Sequence, residues 1–197
     1  MRKAEISRKT NETDIKLSLV LEGAGRADIV TDCGFLAHML ELFARHGRFD
    51  LRLDAKGDSR VDFHHTVEDT GIVLGRAFSE ALGTRRGIRR YGSFILPMDE
   101  SCVAAAVDIS GRAALVYGVN VPAEKVGDFD TELAREFWAA FSRELKCALH
   151  FSQLSGGDSH HLIEACFKGM ARALKDAVSV DPDYPDEVPS TKGTVTQ

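Results

Sequence analysis

The chain has 197 residues, 44% of them hydrophobic and 28% charged, with a formal net charge of -5 and a sequence pI near 5.8. That length suits one compact core rather than independent domains. No apolar run approaches the roughly 20 residues that cross a bilayer, and the acidic balance disfavours a general nucleic-acid surface, so neither a membrane nor a nucleic acid is expected as partner.

Met1 to Thr10 starts charged and lacks the apolar stretch of a secretory signal, which makes a cytoplasmic protein the expectation. Alternation at Ile15, Leu17, Leu19 and Leu21, and again at Phe49, Leu51, Leu53 and Ala55, has the period of half-buried strands. Between them, Phe35 to His46 reads as a helix with Gly47 as its C-terminal cap. A second helix is predicted from about Asp62 to Leu82. The order then recurs from Tyr91, with strands at Gly92 to Leu96, Val103 to Ile109 and Ala114 to Val121, followed by a helix, a short strand and a helix. The scattered Cys33, Cys102, Cys147 and Cys166 contain no C-x-x-C pair and read as small buried side chains. After Val180, Pro182, Pro185 and Pro189 break up a segment of low apolar content, which predicts an extended tail.

The recurrence is an internal duplication. A displacement of 96 residues sets His64-His65-Thr66-Val67-Glu68 on His160-His161-Leu162-Ile163-Glu164. The same displacement carries Val67, Gly71, Leu74, Phe78 and Ala81 onto Ile163, Phe167, Met170, Leu174 and Ala177, one buried helical stripe in each half. A displacement of 98 pairs Phe43 with Phe141, Arg45 with Arg143 and His38 with Glu136.

Residues four apart share a helix face, so His64 with Glu68, and His160 with Glu164, can direct a nitrogen and a carboxylate toward one ion. The second histidines, His65 and His161, point about 100° away and should serve the other site. His38 and Glu136 are the natural extra ligands. Imidazole and carboxylate without thiolate suit Mn, Fe, Zn, Co or Ni better than Mg or Ca. The zinc-protease pattern HExxH is a poor fit, because a second His stands where that pattern has Glu. For an anion such as phosphate, the candidates are Arg89, Arg90, Arg112, Lys168, Ser190 and Lys192.

Over nearly its whole length the sequence resembles the imidazoleglycerol-phosphate dehydratases. The resemblance is carried by RKTNET (Arg8 to Thr13), GFLAHML and HGRFDL (Gly34 to Leu51), DFHHTVEDTGIVLG (Asp62 to Gly75), GIRRYG (Gly87 to Gly92), PMDES (Pro97 to Ser101), DISGRA (Asp108 to Ala113), GDFDTEL (Gly127 to Leu133), HHLIEACFK (His160 to Lys168) and PSTKG (Pro189 to Gly193). It implies a lyase of histidine biosynthesis that dehydrates imidazoleglycerol phosphate to imidazoleacetol phosphate, with two manganese ions holding the ring as an imidazolate. It implies metal ligands at His38, His64, His65, Glu68, His160, His161 and Glu164, with an eighth at Glu136. Substrate contacts are implied at Glu12, Arg90, Arg112, Lys168, Ser190 and Lys192, and Glu12, Glu68 and Glu164 are the carboxylates assigned to catalysis.

The implied fold is α+β, two half-domains (1–86 and 87–180) each with a four-stranded, mostly antiparallel sheet covered on one face by two helices. The tail, 181–197, would bring Ser190 and Lys192 to the phosphate. The implied assembly is a homo-oligomer of trimers forming an octahedral shell, with active sites between subunits. Two positions depart from the family pattern. Ala37 stands where Asp is usual, and Glu136 where His is common. Glu136 is read as a substitute oxygen ligand, while the loss of an acid beside His38 predicts metal affinity or activity lowered by about 10 to 100-fold. The alternative reading is a catalytically weakened or inactive metal-binding shell protein. A hydrolase on the same scaffold is disfavoured by the breadth of the anion pattern.

Overall fold

The structure, a computed structural model, describes residues 1–195. In chain order it has β1 (Lys3–Lys9), β2 (Thr13–Val20), β3 (Ala27–Thr31), α1 (Gly34–Gly47), β4 (Asp50–Gly57) and α2 (His64–Leu82). There follow β5 (Tyr91–Met98), β6 (Ser101–Asp108), β7 (Ala114–Gly118), the hairpin of β8 (Lys125–Val126) and β9 (Phe129–Asp130), α3 (Leu133–Leu145), β10 (Ala148–Ser155) and α4 (Ser159–Val178). No helix among the described residues is long and apolar enough to cross a membrane.

The two four-stranded sheets have equivalent orders, β1-β2-β4-β3 and β5-β6-β10-β7. In each, one pair is parallel, β3 with β4 and β7 with β10, and the connection between its members carries a helix. The other pairs are antiparallel. This is the α+β class with duplicated half-domains that the sequence predicts. Only the β8–β9 hairpin, inserted before α3, lacks a counterpart among the described residues of the first half.

The helices lie between the sheets. Helix α2 packs on β1, β2 and β4, α1 on β3, α4 on β5 and β6, and α3 on β7 and β10. Across the middle, α1 meets α4 and α2 meets α3, so each half's first helix crosses the other half's second. The sequence explains why. Ile15, Leu17 and Leu19 of β2 and Leu51, Leu53 and Ala55 of β4 are all buried on one sheet face, and the predicted stripes on α2 and α4 are buried throughout. Phe43, Phe78, Trp138 and Phe141 interlock where the halves meet, with ring centroids 5.5 Å apart for Phe78 and Phe141 and 6.2 Å for Phe43 and Trp138. Each such ring contributes about 1.5–3 kcal/mol by its burial.

Three boundaries differ from the sequence reading. The strands β1 and β3 add to the two legible as alternation in the first half, since β1 has only Ala4 and Ile6 as apolar residues and β3 is five residues long. The strand from Ala114 ends at Gly118 rather than Val121. Gly47 lies inside α1, and Arg48, with φ 56°, takes the left-handed position after it. Gly47 is needed for a different reason, because a Cβ there would sit 2.3 Å from Cε2 of Phe49.

The outer sheet faces have opposite chemistry. Cross-strand rows on the first read Glu5, Ser18, Arg52, Asp28 and then Ser7, Lys16, Asp54, Val30. The equivalent rows on the second read Ser93, Ala106, His150, Val116 and then Ile95, Ala104, Ser152, Gly118.

Helices α2 and α3 approach closely through two glycines. A Cβ at Gly71 would lie 2.5 Å from the Phe137 carbonyl oxygen, and one at Gly75 would lie 2.7 Å from that of Phe141. Backbone atoms of a packed helix cannot move aside cheaply. Gly71→Ala is therefore expected to destabilise the fold by about 1–3 kcal/mol, measured as a lower urea midpoint with an unchanged slope.

Candidate metal centre and anion site

Both His-His-x-x-Glu motifs occupy the first turns of long helices. Asp62 Oδ1 accepts from the His64 amide at 2.8 Å, and Asp158, the N-cap of α4, accepts from the His161 amide at 3.0 Å. These caps satisfy amides that have no intrahelical acceptor, and so fix where each histidine pair begins.

The crossing of α1 on α4 assembles one cluster. Donor atoms of His38, His160 and Glu164 all lie within 4.8 Å of one another. Glu164 Oε2 is 3.1 Å from His160 Nε2 and 3.6 Å from His38 Nε2. Phe35 stands edge-on to the His160 ring at 5.2 Å, walling the cluster on its apolar side. Glu164 is only 5% exposed. Burial pushes its carboxyl upward, but the Lys168 ammonium bonded to Oε1, together with His160, outweighs that and holds it below the usual carboxylate range.

At the α2–α3 crossing the equivalent groups are more loosely arranged. His64 Nε2 is 3.9 Å from Glu68 Oε2. Glu68 accepts from Arg143 at 2.7 Å, and Glu136 pairs with its neighbour Arg135 at 3.0 Å.

The second histidines are each gripped by acids from outside their helices. His65 Nδ1 is 3.1 Å from both oxygens of Asp58, and its Nε2 is 3.8 Å from Glu12 Oε1. His161 Nδ1 is 2.9 Å from Glu100 Oε2, and its Nε2 is 3.9 Å from Asp99 Oδ2. An Nδ1–H that donates to the carboxylate leaves Nε2 with its lone pair free to ligate. Glu12 sits in the β1–β2 turn, which is tied to α2 because the Thr13 hydroxyl and Arg8 Nη1 both donate to Asp69 Oδ2, at 2.5 and 2.6 Å.

The anion candidates fall into two groups. Lys168 belongs to the Glu164 cluster and is 3.6 Å from Met98 Sδ. Arg90 forms a forked pair with Asp108 at 2.7 and 3.2 Å, and its Nη1 donates to the Pro189 carbonyl at 2.7 Å, which places the tail's Ser190 next to it in sequence. Within that tail the Ser190 hydroxyl accepts from the Lys192 amide at 3.2 Å. Arg89, through its amide, caps the end of α4 at Ser179. Arg112 is exposed on the turn after Gly111.

Sequence reasoning assigned no site role to Asp58, Glu100, Asp69, Asp108 or Arg143, the last of which it named only as the duplicate of Arg45. They lie on turns, strand ends or the neighbouring half, at separations such as the 61 residues between Glu100 and His161 that no periodicity exposes. The buried cysteines behave as expected, with Cys33, Cys147 and Cys166 enclosed and their thiols pushed upward by burial, while Cys102 is half-buried.

A family model described as imidazoleglycerol-phosphate dehydratase matches residues 31–174. The chain belongs to that family. It is 54% identical over 195 residues to an imidazoleglycerol-phosphate dehydratase of Azorhizobium caulinodans, covering 99% of both chains. It is 56% identical over 192 residues to that of Geobacter metallireducens, covering 98% of both. Among solved structures, a Pyrococcus furiosus enzyme of this family in complex with (S)-C348 superposes with a TM-score of 0.83 at 37% identity, covering 96% of this chain and 99% of that one. The dehydratase of Staphylococcus aureus gives 0.82, also at 37% identity, covering 91% of this chain and 99% of that one. The family places the chain among the hydro-lyases of histidine biosynthesis.

The carboxylates on Nδ1 raise the pKa of both second histidines above 6.5, Asp58 acting on His65 and Glu100 on His161. A raised folded value favours the protonated ring, so the associated stability is full below 6.5 and fades as pH rises through the folded pKa. In metal-free protein the rings are neutral only above that folded value, and a bound metal would displace the proton. Histidine NMR titration of metal-free protein should show both midpoints above 6.5, with His65 moving back toward 6.5 in Asp58→Asn and His161 in Glu100→Gln.

Proposed function

We propose that the chain dehydrates imidazoleglycerol phosphate to imidazoleacetol phosphate at a two-metal centre, with manganese as the working ion. The observation that carries this reading is the convergence of His38, His160 and Glu164 across the α1–α4 crossing, in a chain related over its full length to dehydratases. The donor set fits a divalent transition metal. Two imidazoles and a nearly buried carboxylate offer mixed nitrogen and oxygen ligation without thiolate, and Glu164 already requires a cation, a need that Lys168 meets in part. His64, Glu68 and Glu136 would hold the second ion. Such ions supply, when bound, the positive charge that stabilises a deprotonated imidazole ring.

The chain's own groups do the rest. Arg90, Arg112, Lys168, Ser190 and Lys192 would hold the phosphate, and that remote grip sets the reacting carbons against the centre. Glu12, 3.8 Å from His65 Nε2 and more than half exposed, is placed to move a proton at the substrate's C–H or hydroxyl. His65 and His161, gripped from the Nδ1 side by acids outside their helices, would complete sites on neighbouring copies, which makes the active site a property of the assembly. The cytoplasmic setting expected from the sequence accords with this chemistry.

Purified protein loaded with manganese should form imidazoleacetol phosphate, lose the activity on chelation and regain it on adding the metal back. Glu164→Gln should weaken manganese binding by about 10 to 100-fold and lower turnover at least as much. Full metal loading without product would instead support the weakened-paralogue reading, which the arginine partners of Glu68 and Glu136 favour.

The contrast between the outer sheet faces supports the assembly. The charged rows of the first sheet suit water, whereas Tyr91, Ile95, Val116 and Leu154 are half or more exposed on the second. We assign that second face to contact between copies of the chain. Ile95→Glu should reduce the mass measured by light scattering after size exclusion, and Lys16→Glu on the first sheet should leave it unchanged.

A further inference from the structure

The tail from Asp181 to Val195 contains no helix or strand, yet it is fastened at intervals to one stretch of chain, Arg85 to Arg90, which joins the two halves. The Gly87 amide donates to Glu187 O and the Asp181 amide to Gly87 O, both at 2.7 Å. Arg86 donates to Asp186 O and Arg90 to Pro189 O, each at 2.7 Å. Beyond Lys192, Arg85 Nη1 donates to the Val195 carbonyl at 3.1 Å.

Arg85 is an unusual residue to find there. It is 2% exposed and adopts a left-handed φ of 58°. Its Nη2 donates to Leu145 O, the last carbonyl of α3, at 2.6 Å and lies 3.5 Å from the Ser79 hydroxyl, while Nε has no partner. No carboxylate is among these acceptors, and burial pushes the guanidinium pKa down. A cation buried among neutral carbonyls is costly, and a residue needed only for packing would be better filled by an apolar side chain of similar length. What the guanidinium provides, and an apolar chain cannot, is a fork that joins two carbonyls from distant segments.

We propose that Arg85 is a positioning residue for phosphate binding, clipping Val195 to the end of α3 so that the loop carrying Ser190 and Lys192 is held between two anchors. Arg90 on Pro189 is the near anchor and Arg85 on Val195 the far one. The proposal rests on the reading above that Ser190 and Lys192 contact the phosphate. A loop fixed at both ends presents its hydroxyl and ammonium without an ordering cost at each binding event.

The test is steady-state kinetics with imidazoleglycerol phosphate on manganese-loaded protein. Arg85→Met, and separately a chain ending at Gly193, should each raise KM about tenfold while kcat stays within about twofold. Manganese content should be unchanged, and hydrogen exchange of the Lys192 amide, which donates to the Ser190 hydroxyl, should be faster in both. The shortened chain keeps the buried arginine and removes its acceptor, so it decides the matter if Arg85→Met does not fold. A shortened chain with ordinary KM and ordinary amide exchange at Lys192 would overturn the proposal, as would an Arg85→Met protein that loses thermal stability alone. If Ser190→Ala and Lys192→Ala leave KM unchanged, the phosphate reading fails first and takes the positioning role with it.

Discussion

Everything at the candidate site depends on one packing constraint, that each half's first helix must bury its apolar stripe against the other half's second. A sheet covered on one face by two helices still exposes the far side of those helices. Two such halves remove that surface from water by closing helix layer on helix layer, with Phe43, Phe78, Trp138 and Phe141 interlocked at the junction. The closure is what brings His38, from the second turn of α1, to the first two turns of α4. Neither half could build the cluster alone.

The same closure sets the electrostatics. Glu164 is carried almost out of water, where an isolated carboxylate would be strongly disfavoured. His38, His160 and Lys168 surround it, so the site stores a demand for positive charge that a lysine satisfies from one side. At the α2–α3 crossing the carboxylates of Glu68 and Glu136 are more exposed, and arginines reach both. The two crossings also pack differently. Gly71 and Gly75 let α2 approach α3 to backbone contact, whereas their counterparts on α4 are Phe167 and Ala171. A duplicated scaffold has thus diverged at its two symmetric positions, in spacing as well as in charge.

Much of this was legible in the sequence because it is periodic. Alternation in β2 and β4, the stripes on α2 and α4, and the displaced His-His-x-x-Glu copies all repeat at intervals fixed by strand or helix geometry. The edge strands β1 and β3 showed no clear alternation because β1 has only Ala4 and Ile6 as apolar residues and β3 is five residues long, whereas the edge strands β5 and β7 of the second half were readable. Gly47 misled because a glycine after a helical stretch usually caps it, while here its missing side chain makes room for the Phe49 ring. Asp58 and Glu100 escaped for a deeper reason. They grip equivalent histidines from non-equivalent turns, one after β4 and the other between β5 and β6, so even the duplication does not align them.

That last asymmetry shows which parts of the molecule the duplication controls. Helix starts and sheet order repeat, because they are set by the core and the core is shared. Several turns and the termini do not repeat, because nothing packs them into register, and most of the residues proposed to hold the phosphate come from there, Lys168 of α4 being the exception. Arg90 ends the linker, Arg112 follows a glycine turn, and Ser190 and Lys192 lie on a tail with no equivalent in the first half. On the proposed reading a pair of pseudo-symmetric metal sites would grip a ring that offers two nitrogens, but a substrate with one phosphate has a single charged end. An asymmetric appendage fastened across the joint between the halves would meet that requirement, and the joint from Arg85 to Arg90 is where the structure fastens it.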